Sequence, residues 1–411
     1  MKALRFHYSV PRLAATMILS RVWSRAHLSA VAPVRLESVP EPELPAGDWV
    51  RVRTRLAGIC GSDSTQIALH GSFDNPLRGL LSFPHVLGHE AMGIVESVGD
   101  GVRERQIGER VAVNPWLSCV PRGIDPPCPA CQRGEIPLCR NFDRGSLPPS
   151  LHLGNNTRIP GAFAPLIVCH ESQCFPVPDE VSDEAAVLAD PFSVCLHAVL
   201  RNPPPDDAPA LVYGLGTLGI LTVAILRTLY PDVEVYAIGR YPHQAKLAAE
   251  LGASVVLAGP PTDLVQGVAK ATGARPLHPP TGLPWLLDGV GIAYDIVGSA
   301  ESLETAIRMV RSRGRVVVAG VGKPKRFEWT PIYFKEISVV GSNAFGFESY
   351  RGDERHAIDI YLELASQGLE LGHLVTHRFP LSAWRDAFST LGSKRSSGAV
   401  KVVFDFALDD Q

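Results

Sequence analysis

No apolar run in this chain approaches the length of a bilayer-spanning helix, so the sequence holds no candidate membrane span. An excess of charge of one sign is also missing. Lys and Arg number 39 against 42 Asp and Glu, a formal net charge of −3. That balance removes the electrostatic case for a nucleic-acid or anionic-membrane partner. No internal repeat is visible. Acidic residues are absent before Glu37, while Arg5, Arg12, Arg21, Arg25 and Arg35 precede it. An Arg-rich, acid-poor start can be an organelle transit peptide. Against this, "MKALRFHYSV" reads as a first strand of the mature fold, and "LAATMIL" is too short for a signal core and runs into Arg21. The expectation is a cytoplasmic protein.

The 411 residues, 45% of them hydrophobic, leave room for two domains with a core each. The first ~190 residues are rich in Pro, Gly and Cys and poor in helical periodicity. Short runs such as "DWVRVRTRLAGI" and "AMGIVESVGDGV" alternate with turn residues and predict a compact β domain. Residues 11–30 are the exception. Leu13, Met17, Val22 and Leu28 fall near helical spacing, which predicts a surface helix packed on the domain or on a partner subunit. The stretch "RNPPPDDAP" then breaks the chain. After it, strands ("ALVY", "VEVYAIG", "AYDIVG", "GRVVVAG") alternate with helices. One helix opens at Pro242 and ends by Gly252; another, "SLETAIRMVRSRG", is expected to stop at Gly314. Such alternation predicts a parallel sheet covered on both faces, an α/β arrangement. The expected boundaries are 1–190 for the β-rich domain, 191–345 for the parallel-sheet domain, and 346–411 for a return to the first.

Four cysteines, Cys119, Cys128, Cys131 and Cys139, crowd one short segment. Disulfide knots belong to small secreted domains without a core. In a chain of this size a Cys-x-x-Cys pair with two further thiols reads as four thiolates around a tetrahedral, structural zinc. Cys169, Cys174 and Cys195 lie outside the motif and read as inert thiols. A second set is more scattered: "GICGSD" carries Cys60, Ser62 and Asp63, "GHE" carries His89 and Glu90, and "LADPF" carries Asp190. One thiolate, one imidazole and one carboxylate leave a position open, as a zinc that does chemistry requires. A helix N-terminal role is the rival reading of Asp190, and His197 reads as a helix residue rather than a ligand. Finally, Gly214, Gly216 and Gly219 form G-x-G-x-x-G after a strand, with Thr217 and Leu218 opening a helix. Here backbone N–H groups and the positive helix end can take a pyrophosphate. At the end of the next strand stand Gly239, Arg240 and Tyr241 instead of an acid. A guanidinium pairs with a 2′-phosphate, so NADP is favoured over NAD.

Together these motifs, with the closing "GAVKVVF", resemble the zinc-dependent medium-chain dehydrogenases/reductases, the superfamily of alcohol, sorbitol and threonine dehydrogenases. The resemblance runs over nearly the whole chain. It implies a GroES-like catalytic domain with a structural zinc lobe at about 115–145, a Rossmann domain, and about two zinc ions per chain. It implies hydride transfer between an alcohol or polyol, or the matching carbonyl, and NAD(P). Cys60 and His89 resemble the fixed ligands of the reactive zinc. Asp190 falls where sorbitol-type relatives carry a glutamate; one carbon shorter, it reaches the metal directly or through a water. Glu90 resembles the acidic neighbour that ligates during exchange. Asp63 would accept the His89 N–H, and Ser62 would relay the substrate proton. Thr65 stands where a histidine often continues that relay. The lobe departs from the pattern, since "VPRGIDPP" separates Cys119 from Cys128. The resemblance also implies a homodimer or homotetramer through the strand near "EISVVGS". His70, Asp74 and Asn75 lend the segment before His89 a polar, polyol-like character. Two other readings stand beside this one: a nucleotide-sensing protein that keeps the fold without the chemistry, and a zinc-independent enone reductase.

Overall fold

The computed structural model describes residues 1–71, 75–323 and 325–409. The chain divides into two compact units, Met1–Asp190 with Tyr350–Gln411, and Pro191–Ser349. Asp74, one of the polar residues singled out above, lies outside the described residues.

Among the described residues, the first unit is built on a seven-stranded sheet. Its order is Val375–Phe379, Lys401–Asp405, Trp49–Gly58, Glu90–Val98, Arg110–Val113 and Cys174–Pro176, with Leu166–His170 also paired to Trp49–Gly58. The long strand shows why. In "WVRVRTRL" Val50, Val52, Thr54 and Leu56 are buried, while the arginines between them reach toward water. Around the buried face pack Trp49, Phe163 and Phe404, the last two edge to face at 4.8 Å between ring centroids. A smaller antiparallel sheet joins Val34–Ser38, Lys2–Phe6 and His85–Val86.

The second unit is a six-stranded, all-parallel sheet ordered Val255–Leu257, Val235–Ile238, Ala210–Tyr213, Val290–Asp295, Val310–Val318 and Ser338–Gly341. This is the strand order of the doubly wound dinucleotide fold. Ala210–Tyr213, Val235–Ile238 and Val290–Asp295 are buried at every position. That is why their sequences run apolar without alternation.

Two local expectations are corrected. The helix expected to stop at Gly314 spans only Ala300–Met309, and Gly314 lies inside the strand Val310–Val318. The β-branched Val310 pairs with Val290, and a Cβ at Gly314 would come within 2.2 Å of Val310 Cγ1. Sheet pairing overrides helical periodicity here. Near the N-terminus the helix is Val10–Leu19, and turns and a short 3₁₀ segment at Ala26–Leu28 replace the rest. Leu28 is buried and Leu13 packs on the core, but Met17 lies on the helix's exposed side, and Val22 falls beyond the helix end at Leu19 and faces out.

Buried neutral histidines make the first unit acid-sensitive. His85 is 1% exposed; Nδ1–H donates to the Ser82 carbonyl and Nε2 meets Gln66 Nε2. Burial pulls its imidazole down to about 4. His356, 2% exposed, accepts the Ile358 N–H and is pulled by burial to about 3. In the unfolded chain both bind a proton near pH 6.5, in the fold only far lower. Stability is therefore complete above about 6.5 and falls as pH drops toward 4, on the order of 3 kcal/mol or more apiece. Urea midpoints at pH 7.5, 6 and 5 should fall in that order; midpoints that hold level across this range would rule the effect out.

Candidate metal and dinucleotide sites

Strand register assembles the first site. Trp49–Gly58 runs out through Ile59 to Cys60, the N-cap of the helix Gly61–Ile67. The Asp63 carboxylate accepts the Cys60 N–H at 2.9 Å, which fixes the turn carrying the thiol. The neighbouring strand Glu90–Val98 sets Glu90 directly opposite Gly58. Cys60, His89 and Glu90 therefore converge, with one ligand atom from each inside 4.8 Å of the others. Asp190, in the first turn of the helix Ala189–Arg201, is not part of that group. Its field still reaches His89.

The surroundings are rich in buried acids. Asp63, Glu90 and Asp190 are all buried, and Cys60 adds a thiol. Besides His89, Lys401 is the cationic side chain whose field reaches these acids; it is 2% exposed, and its Nζ pairs with the Glu90 carboxylate and donates to the Ile59 carbonyl at 3.3 Å. Burial pushes Asp190 up to about 7, with Glu90 and Asp63 adding to the rise. Burial would lower His89, yet the fields of Asp63, Cys60 and Asp190 override it and hold the ring well above the usual imidazole range. The pocket thus favours a cation on the His89 lone pair, and a divalent ion meets that demand better than a proton. These donors, a soft sulfur, a borderline nitrogen and a hard carboxylate, suit zinc. Asp63 Oδ1 stands 3.7 Å from His89 Nδ1, an ion-pair distance and longer than a hydrogen bond.

His152 closes one side. Its ring lies 4.7 Å from that of His89 and 5.7 Å from Trp116. Nδ1–H donates to the Leu153 carbonyl, and Nε2 accepts from Asn155 Nδ2 at 3.1 Å. Both nitrogens are engaged, so His152 is a fixed neutral wall rather than a ligand; burial first, then His89, brings it down to about 3. Ser62 and Thr65 sit exposed on the helix Gly61–Ile67. Asn75 caps a short turn by accepting the Leu77 N–H, and His70 is exposed. His197 stands apart, its Nδ1 2.5 Å from Glu348 Oε1.

The other group of metal-binding side chains among the described residues is Cys119, Cys128, Cys131 and Cys139, again inside 4.8 Å. The sulfurs receive N–H donors of the kind thiolates attract: Cys128 N and Asn141 Nδ2 to Cys119 at 3.3 and 3.2 Å, Arg140 N to Cys128 at 3.4 Å, Asn141 N to Cys139 at 3.4 Å. Sulfur–hydrogen bonding, led by Cys139, draws the Cys131 thiol down to about 5. Four sulfurs with no position left over fit a structural zinc.

In the second unit, Ala210–Tyr213 turns at Gly214, whose φ of +103° lies in glycine's region. Gly216 is the N-cap of Thr217–Leu229 and has no side chain to cap it, so the positive end of the helix dipole faces the glycine turn. A Cβ at Gly219 would stand 1.8 Å from the Gly214 carbonyl oxygen, so only glycine lets helix and strand approach.

Comparisons with known proteins agree with this geometry. The family profile "Alcohol dehydrogenase GroES-like domain" matches residues 46–179, and "Zinc-binding dehydrogenase" matches 217–361. L-idonate 5-dehydrogenase of Vitis vinifera is 28% identical over 386 residues, 92% of this chain and 94% of that protein. Sorbitol dehydrogenase of Arabidopsis thaliana is 28% identical over 87% of this chain and 88% of its own. The crystal structure of 2R,3R-butanediol dehydrogenase from Bacillus subtilis superposes with a TM-score of 0.71 at 25% identity, over 98% of this chain and 99% of that one. The chain belongs to the zinc-type medium-chain dehydrogenase/reductase family. It is a hydride-transfer oxidoreductase.

The cofactor turn is closely packed. At Gly239 a Cβ would meet Leu215 Cδ1 at 2.7 Å and Leu215 Cβ at 3.2 Å, so an acid placed there would have to move the Leu215 side chain. Arg240 is exposed, and Tyr241 stacks on His243 at 5.9 Å. The sequence reading missed Lys401 and His152. Lys401 lay in plain view inside "GAVKVVF", but its partner is 311 positions away. The one signal for the pair is Gly58, where a Cβ would stand 2.0 Å from Glu90 Oε2 and 2.8 Å from Lys401 Cε.

Proposed function

We propose that this chain is a zinc-dependent dehydrogenase that moves a hydride between an alcohol or polyol carbon, or the matching carbonyl, and NADP in preference to NAD. The observation that carries this reading is the convergence of Cys60, His89 and Glu90 in an acid-rich, buried pocket. Those three residues would hold the reactive zinc, with Asp190 as an outer acid that reaches it directly or through a water. Cys119, Cys128, Cys131 and Cys139 would hold a structural one. When bound, the reactive zinc supplies Lewis acidity toward the alcohol oxygen. The protein's own groups do the rest. Asp63 and His152 orient His89, and Ser62 passes the substrate proton outward, where its exposure and that of Thr65 give access to water. Gly214, Gly216, Thr217, Leu218 and Gly219 receive the pyrophosphate, and Arg240 with Tyr241 receives the 2′-phosphate end. An enone reductase that works without zinc has no use for two gathered sets of ligand side chains. We place the chain in the cytoplasm, a reducing compartment in which thiols gathered for metal binding stay available. No described helix is long and apolar enough to cross a membrane. We place subunit pairing, as homodimer or homotetramer, on the edge strand Ser338–Gly341, where Val339 is 39% exposed.

The test is a panel of alcohols, polyols and aldehydes, each with NAD and NADP, followed by nicotinamide absorbance. Turnover of none of them, by protein shown to contain zinc, would refute the reading. Because a side chain at Gly239 would also displace Leu215, the cleaner cofactor test belongs to Arg240. Arg240→Ala should raise KM for NADP by about tenfold or more, about 1.4 kcal/mol, and leave KM for NAD nearly unchanged. Equal effects on both cofactors would remove Arg240 from phosphate recognition.

A further inference from the structure

The stretch that departs from the family's spacing, Val120–Pro127, brings Arg122 into the lobe. Arg122 is fully buried. Its Nε donates to Leu117 O at 2.7 Å. Nη1 donates to Arg144 O and Leu147 O at 2.9 and 3.0 Å, and Nη2 to Pro148 O, Ser150 O and Ser150 Oγ at 3.2, 2.7 and 2.8 Å. Every partner is neutral. Carbonyl oxygens satisfy the N–H groups but leave the charge uncompensated, and an uncompensated buried charge is expensive. The negative groups whose field reaches it are Cys139, Asp143 and Cys119. Asp143 is exposed, so the buried groups among these are the sulfurs, and the Arg122 backbone N–H donates to the Cys119 carbonyl at 3.1 Å, which holds the residue against the lobe. Neutral thiols carry none. Four thiolates on a divalent ion carry a net charge of about −2.

The cage around Arg122 also leads toward the reactive site. Ser150 Oγ, which accepts from Arg122, accepts from Asn156 Nδ2 at 2.7 Å. Asn155 Oδ1 accepts the N–H groups of Leu151 and His152 at 3.2 Å, and Asn155 Nδ2 donates to His152 Nε2. His152 in turn packs on His89.

We propose that Arg122 is a positioning residue with two linked tasks: it is the counter-cation of the zinc–thiolate set, and through the segment 144–156 it holds His152 against His89, coupling the lobe's metal to the reactive one. This rests on reading the four cysteines as a zinc site. The two parts are tested by zinc release into a chromophoric chelator, which resolves a fast (reactive) and a slow (lobe) phase in the wild-type protein. In Arg122→Met the slow phase should quicken by roughly tenfold or more, the size found when groups supporting metal ligands are removed. The fast phase should quicken with it. Arg122→Lys, which keeps the charge and loses the fork, should restore most of the slow-phase rate. His152→Ala should quicken the fast phase alone. Wild-type protein with no slow zinc would sink the reading of the cysteines. A slow zinc present but released at the same rate from Arg122→Met, or as quickly from Arg122→Lys as from Arg122→Met, would sink the counter-cation. A fast phase unmoved in His152→Ala would sink the coupling, and this holds even if Arg122→Met fails to fold.

Discussion

Cys60→Ser is expected to lower kcat/KM by about 10³-fold or more, roughly 4 kcal/mol of lost transition-state stabilisation, and to take zinc from about two per chain to about one. Serine keeps the shape of the N-cap and can accept the same helix N–H, so the turn at Gly61–Ile67 should survive. What disappears is a thiolate. A serine hydroxyl is neutral at pH 7 and a weaker donor to zinc, leaving His89 and Glu90 to hold the ion, and Glu90 is already engaged by Lys401. The lobe is an internal control, because its ligands come from a separate segment. Loss of activity with both zinc ions retained would mean that Cys60 serves some purpose other than binding metal. Full activity would remove it from the site.

Lys401→Met should have an effect that depends on metal. Lys401 and Glu90 are each 2% exposed, and removing one partner leaves the other charge buried alone. Breaking a buried pair in this way costs about 3–5 kcal/mol. In zinc-stripped protein Lys401→Met should therefore be destabilised by that amount, read from urea midpoints. In zinc-loaded protein the metal becomes the carboxylate's partner and most of the loss should vanish. Removing the competing ammonium should also slow release of the reactive zinc. A variant equally destabilised with and without zinc would show that Glu90 belongs to the lysine and not to the metal.

The side chains that the fold gathers into two candidate ligand sets were mostly legible, because much of their signal is local. Cys131 and Cys139 keep a characteristic spacing, the glycines follow a strand, and the arginines of "WVRVRTRL" mark the water-facing side of a sheet. Which acid stands with Cys60 and His89 was not legible. Glu90 joins Cys60 because strand register puts it opposite Gly58, and no spacing rule reports a register. Lys401 arrives on another strand, from the far end of the chain. The carbonyl cage of Arg122 depends on a loop path with no pattern of its own, so the departure in spacing was visible and its content was not. The misplaced helix end at Gly314 has the same origin: pairing with Val290 decided what periodicity left open.

The most direct measurement is anomalous diffraction from crystals of the native protein at the zinc edge. The account predicts two peaks: one bounded by Cys60, His89 and the Glu90 carboxylate with room beside it for an oxygen ligand, and one inside the four cysteines. A clean map with no peak between Cys60 and His89, in protein that oxidises an alcohol, would contradict it.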